Sequence, residues 1–306
     1  MFVVNTSGSL FAQQSQIRID SNDLKLMYEF EDSLEKIALK VQRAEKEGDR
    51  LKASHNFIPH LVKALRTPYS FDYSFSNLNN ISVLNAPDNR FRIFTWKVLF
   101  DDLTSRYFGS VQFNTEDGNL MLIPLVDFRD SLENHTQEIL SNLQWHGAVY
   151  YNIKHVQANG KDYYTLFGFV GKDYMSQMKL MEIMHFDENT QEIVFGAPII
   201  QSKQDKEQTL NRFFIEYTRD ATATLNFNRE MNMVIFDHLI PPNPNNKGLY
   251  FTYIPDGSYE GYKLKDNMWK YVEDAFPELA EDVFENPPIP QPQFKNRKKR
   301  DMPDFR

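Results

Sequence analysis

The sequence predicts a mainly β fold, an antiparallel meander or sandwich with a propeller-like ring as the alternative, preceded by an N-terminal helical segment. Three observations carry this reading. Aromatic residues make up 14% of the chain, with 25 Phe and 15 Tyr against only 12 Gly, which suits half-buried pleated surfaces and leaves few glycine loops for cradling nucleotides. From Tyr69 onward, short runs alternate apolar with polar residues, the period of a strand. Between the runs stand Asp88-Asn89, Asp117-Gly118-Asn119, Asn159-Gly160, Asp187-Glu188-Asn189 and Asp266-Asn267, residue types that tolerate the positive φ of tight reversals. Hairpin-sized links without helical crossovers argue against a doubly wound nucleotide-binding sheet.

Within residues 1–20, Phe2-Val3-Val4 and Ser9-Leu10-Phe11-Ala12-Gln13 look like a shortened export signal, although no basic residue precedes them; the alternative is a flexible arm. Over residues 21–52, Met27, Phe30, Leu34, Ile37, Val41, Ala44 and Leu51 fall at three- and four-residue steps, with Gly48 in one slot. This is a heptad seam, and as one helix it would reach about 45 Å at 1.5 Å per residue. The seam has two uses. It packs on the chain's own body, or Phe30, Leu34, Ile37 and Val41 bind a partner helix. A second helical piece has Pro59 near its start and Phe57, Leu61, Val62 and Leu65 on one face, and ends before Pro68. The two pieces make a helical segment over 21–68 and leave 69–284 as the β domain.

The strands expected there are Asn80–Leu84, Phe91–Val98, Arg106–Phe113, Leu120–Leu125, Ala148–Val156, Tyr163–Val170, Lys179–Phe186, Glu192–Phe195, Arg212–Thr218, Thr222–Phe227, Met231–Phe236, Tyr250–Ile254, Tyr259–Leu264 and Met268–Val272. Residues 130–142 read as a short helix capped by Asp130 or Ser131, and Asp256-Gly257 as a reversal between two strands. Phe276–Phe284 reads as an acidic helix. Beyond it, Pro287, Pro288, Pro290 and Pro292 enforce an extended chain, leading into Lys295, Arg297, Lys298, Lys299 and Arg300. This tail, 285–306, is either solvated or a docking segment for an acidic partner or an anionic membrane surface. Pro288 and Pro290 with the five basic residues are its candidate partner-binding positions.

A net charge of −8 argues against nucleic-acid binding, which needs a basic face. No run of about 18 apolar residues is present, so no membrane-spanning helix is expected. The chain has no cysteine, which excludes disulfides and thiolate chemistry. His-Glu-x-x-His, the phosphate-binding loop, the dinucleotide glycine fingerprint and Gly-x-Ser-x-Gly are all absent, and no cofactor or metal is expected. One polar corner remains. Asp237, His238, Asp256 and Ser258 bracket a proline-rich loop and supply hydroxyl, imidazole and carboxylate for acyl transfer, or else satisfy turn backbone. Trp96, Trp145 and Trp269, with Tyr150, Tyr151, Tyr163 and Tyr164, form either a sugar platform or core.

Seven blocks carry a resemblance: Phe91-Arg92-Ile93-Phe94-Thr95-Trp96, Tyr107-Phe108-Gly109, Trp145-His146-Gly147-Ala148-Val149-Tyr150-Tyr151, Tyr163-Tyr164-Thr165-Leu166-Phe167-Gly168, Phe195-Gly196-Ala197-Pro198, Ile235-Phe236-Asp237-His238-Leu239 and Pro255-Asp256-Gly257-Ser258-Tyr259. In this order, over residues 70–272, the chain resembles a family of exported proteins of unassigned activity from Bacteroidota. The resemblance implies a periplasmic location and supplies no catalytic residues. It suits a non-enzymatic binding or scaffold subunit of a cell-envelope assembly, with the type IX secretion and gliding machinery as one candidate. Other envelope proteins would then be held through the helical arm and the tail, and peripheral membrane contact is compatible. An envelope hydrolase and a carbohydrate-binding module are the competing classes.

Overall fold

The structure, a computed structural model, describes residues 18–276. Two helices open it, α1 (Ser21–Arg43) and α2 (Glu47–Leu65). The strands follow in chain order: β1 (Ser82–Asn85), β2 (Phe91–Leu99), β3 (Ser105–Phe113), β4 (Leu122–Val126), β5 (Leu140–Ser141), β6 (Val149–Ala158), β7 (Lys161–Gly171), β8 (Ser176–Phe186), β9 (Ile193–Phe195), β10 (Ile200–Gln201), β11 (Thr209–Leu210), β12 (Arg212–Thr218), β13 (Leu225–Asn228), β14 (Met233–Ile240), β15 (Ile254–Lys265) and β16 (Met268–Val272).

The strands form three sheets with no closed barrel or ring among them. The first has the order β1-β2-β3-β4, the second β5-β9-β8-β7-β6 with β12 also on β8, and the third β11-β10-β16-β15-β14-β13. All pairings between these strands are antiparallel except β10 with β16. The turn residues named from sequence do their work here. Asn89, Asn159, Asp266 and Asn267 have positive φ at the reversals between β1 and β2, β6 and β7, and β15 and β16.

Strand alternation stacks these parts into four layers. Phe94, Trp96 and Val98 on one face of the first sheet share a core with Met27, Leu34, Val41, Phe57 and Leu61 of the helices. Phe91, Ile93, Tyr107 and Val111 on its other face meet Tyr150, Tyr164, Leu166 and Leu180 of the second sheet. The second sheet's far face, with Tyr163, Phe167, Met181 and Phe213, packs on Val234, Phe236, Tyr262 and Trp269 of the third. The middle sheet is therefore buried on both faces.

Several expectations are corrected. The heptad seam is not one helix: Ala44–Lys46 break it, and Arg50 of α2 holds the break by donating to the carbonyls of Ala44 and Glu45 and to Leu99 at the end of β2. Pro59 lies inside α2, not near its start. Residues 130–142 form no helix. They contain 3-10 turns at Arg129–Ser131 and from Asn142, with β5 between them, because the Glu138 carboxylate takes the backbone N–H groups of Glu133 and Asn134. Tyr250–Thr252 is a 3-10 turn, and β15 begins at Ile254 and runs straight through Asp256-Gly257. That pair forms a bulge, not a reversal: Asp237 pairs with Tyr259 but Leu239 with Pro255, so β15 carries extra residues, and Gly257 at φ +91 absorbs them.

Phe30, Leu34, Ile37 and Val41 all pack into the core that α1 shares with α2 and the first sheet; Leu34 and Val41 are buried, and Phe30 and Ile37 half-buried. The export-signal stretch at Phe2–Gln13 and all the tail positions, Pro288, Pro290, Lys295, Arg297, Lys298, Lys299 and Arg300, lie outside the described residues. So does the predicted helix beyond Phe276. Among the described residues no helix is long and apolar enough to cross a membrane.

Candidate functional site

The tryptophans form no exposed platform. Trp96, Trp145 and Trp269 are buried, and each indole N–H has a partner: Ser54 Oγ at 2.9 Å, Tyr150 OH at 2.7 Å and Thr165 Oγ1 at 3.1 Å. Tyr150, Tyr163 and Tyr164 are buried and Tyr151 is half-buried, so these rings are core rather than a sugar-stacking face.

The polar corner is only partly assembled. His238 Nδ1 lies 2.8 Å from Asp256 Oδ2, while Ser258 donates to Asp256 Oδ1 from its hydroxyl at 2.7 Å and from its backbone N–H at 2.9 Å. The carboxylate therefore stands between hydroxyl and imidazole. An acyl-transfer site needs the imidazole on the hydroxyl, where it removes the proton. Partial burial pushes the Asp256 carboxyl up, but the bonds from Ser258 and His238 outweigh this and hold it below the usual range, which makes it a poor base. Asp237 points elsewhere and accepts the N–H of Thr224 at 2.5 Å. The four residues thus serve the bulge and the neighbouring loop.

A groove of about 1220 Å³ lies between the second and third sheets, with Asp237 of the corner in its lining. Phe213, Phe214, Ile215 and Glu216 of β12 line it, with the turn at Asn134–Gln137 and with Tyr250 and Tyr253 from the 3-10 turn region. What places β12 there is a buried polar cluster. Arg212, fully buried, donates from Nε to the Glu182 carboxylate of β8, from Nη1 to Glu138 O at 2.6 Å and from Nη2 to Phe195 O at 2.8 Å. Tyr150 OH donates to the other Glu182 oxygen and takes the Trp145 N–H. At the far end of the strand, Glu216 receives Lys172 Nζ at 2.9 Å and Ser176 Oγ at 2.7 Å.

The backbone of β12 is paired on one side only. Phe213, Ile215 and Tyr217 stand opposite Met181, Lys179 and Gln177 of β8. On that edge of β8, Ile183 O receives Gly196 N and Met175 O receives Arg219 N, so odd-numbered residues of β8 and β12 face each other. Even-numbered residues of β12 face outward. The two at its ends are satisfied: Arg212 N donates to Thr136 O at 3.2 Å and Thr218 N to Tyr253 O at 2.9 Å. Phe214 and Glu216, between them, have outward backbone N–H and C=O groups with no partner among the described residues. Half-buried backbone groups without partners are uncommon in folded proteins.

Two histidines stand at one end of the groove. His135 Nδ1 lies 3.2 Å from His146 Nε2, and the His146 ring lies 5.0 Å from that of Phe214. Burial, then the charge of Arg212, holds His146 well below the usual imidazole value; burial and Arg129 lower His135. Both are neutral near pH 7, one donating to the other. Across the groove Glu260 accepts Lys203 Nζ at 2.5 Å and the hydroxyl of Tyr271. No group of three or more His, Asp or Glu side chains among the described residues is placed to hold a metal ion.

Of the site residues proposed from sequence that lie among the described residues, Asp237 alone lines this groove. The sequence did mark Arg212–Thr218 as a strand, with Phe213 and Phe214 giving it apolar residues on both faces. That marks a buried strand, but not which of its edges has a neighbour. Compared with protein-family models, curated proteins and solved structures, the chain matches none.

Proposed function

We propose that this protein is a non-enzymatic binding and scaffold subunit of a periplasmic envelope assembly, and that its groove takes an extended polypeptide segment as an added strand on β12. The observation that carries the reading is the pair of outward backbone groups at Phe214 and Glu216, open in mid-strand and closed off at both ends. Main-chain pairing of this kind gives affinity with little demand on sequence, while the flanking pockets give selectivity. Phe213, Leu210 and Tyr253 offer apolar walls, and Lys203 and Glu216 offer charge. The resemblance over residues 70–272 supports the envelope location.

The test is binding of an extended Thr-Val repeat peptide of about eight residues, followed through the Phe214 and Glu216 amide signals. Glu216→Pro removes one outward N–H while leaving the β8-facing residues intact, as an edge position allows; Glu216→Gln keeps it. Binding that survives Glu216→Gln and is lost in Glu216→Pro is expected. Equal binding by both variants would refute strand addition.

A further inference from the structure

The described chain ends on the outer face of the third sheet, against Met233 and Ile235, with the groove on the sheet's other side. Ala275 N donates to Tyr259 O at 2.9 Å and the Phe276 ring sits 5.5 Å from that of Tyr259; the next residue, Glu260, lines the groove. Thirty residues follow, 277–306. Within them, Pro288, Pro290 and Pro292 alternate with Ile289, Gln291 and Gln293. In an extended chain successive residues direct their backbone polar groups to opposite edges. All three proline nitrogens then lie on one edge, and the N–H groups of Ile289, Gln291 and Gln293 on the other. Such a segment pairs on one side and presents no donor on the other, the pattern of a terminal edge strand.

The geometry points to this chain's own segment 287–294 as the occupant of the groove, added to β12 with two of Ile289, Gln291 and Gln293 opposite Phe214 and Glu216. The inference rests on the strand-addition reading above and names its occupant. Three further features fit. Residues 277–286 span up to about 35 Å when extended, the reach available from Phe276 round the third sheet to the groove. The open stretch of β12 is two outward residues long, bounded by Thr136 and Tyr253, and the segment needs only two of its three donors to fill it. Carboxylates outnumber cations along the groove, with Glu207 in no ion pair among the described residues, while the segment leads directly into Lys295 and Arg297.

The experiment uses the full chain and a variant carrying Ile289→Pro, Gln291→Pro and Gln293→Pro, which removes the pairing donors and leaves charge and length unchanged. Amide exchange at Phe214 and Glu216 is the local readout, and affinity for the free Thr-Val repeat peptide the second. Expected are slow exchange at both amides in the full chain, at least tenfold faster exchange in the variant, and tighter peptide binding by the variant. A control with Pro288→Ala and Pro290→Ala keeps the slow exchange. Equal exchange in full chain and variant, with peptide bound equally by both, overturns the occupant while the strand-addition reading stands. If the peptide protects neither protein, both fall. Slow exchange that disappears on dilution together with a dimer overturns occupancy within one chain in favour of exchange between copies.

Discussion

Replacing Arg212 by Met tests the cluster that holds β12 at the groove. The substitution keeps most of the aliphatic volume but strands the buried Glu182 carboxylate, whose other oxygen keeps only the Tyr150 hydroxyl. Removing one partner of a buried pair costs about 3–5 kcal/mol. The carbonyls of Glu138 and Phe195 also lose a charged donor, adding about 1 kcal/mol. With a urea slope of about 3 kcal/mol/M for a chain of this size, a loss of about 5 kcal/mol lowers the midpoint by about 1.7 M. The second arm of the cycle is Glu182→Leu in the Arg212→Met background. It removes the stranded carboxylate, so the double variant should recover about 2 kcal/mol relative to the sum of the single losses. Urea titration followed by tryptophan fluorescence suits the measurement, because Trp145 is bonded to the same cluster through Tyr150. A loss below about 1 kcal/mol for Arg212→Met, or additivity within about 0.5 kcal/mol, would show that the pair does not anchor the strand.

Three other outcomes follow from burial and close packing. His146 titrates well below its usual value of 6.5 because it is buried. The unfolded chain therefore takes up a proton that the folded chain refuses; this stabilisation is complete above about pH 6.5 and falls as pH drops toward the folded value. The urea midpoint should decline between pH 7 and 5, and less steeply in His146→Gln. Lys97 is pushed down to about 8 by burial and then by the charge of Arg219, so its charged form costs stability below pH 8 and not above about 10.5. Lys97→Met should raise stability at pH 7 by about 1–3 kcal/mol, and a lysine NMR titration should give a midpoint near 8. Gly261→Ala places a Cβ about 2.5 Å from the backbone oxygen of Val234, which cannot move without breaking the β14–β15 pair; a loss of about 1–3 kcal/mol in thermal or urea unfolding is expected.

The fold was legible where physical periods were unbroken. Turn residues such as Asn159-Gly160 and Asp266-Asn267 announced their hairpins, and alternating Phe91, Ile93, Phe94 and Trp96 announced a strand with two apolar faces. Failures came where a side chain did a backbone's work. Asp256-Gly257 has the chemistry of a reversal, and the chain uses it to absorb extra residues inside β15, because Asp256 can satisfy Ser258 N without turning the chain. The break at Ala44–Lys46 has no Pro or side-chain cap to announce it; Arg50, reaching from the next helix, supplies the donors. The seam at Leu34 and Val41 was legible as a seam, but not its partners, which are α2 and, from farther along the chain, the first sheet. The groove was the least legible feature, since an open strand edge is defined by the neighbour it lacks.

The double burial of the middle sheet bears on how such a chain can diverge. Along β7, Tyr163, Thr165 and Phe167 serve the core shared with the third sheet, and Tyr164 and Leu166 the core shared with the first. Successive positions there answer to two different sets of neighbours, and none has a solvent face on which substitutions are free. The outer layers each keep one such face. Relatives of this protein should therefore be recognisable by the interior of β7 and β8 long after their helices and third sheet have drifted apart.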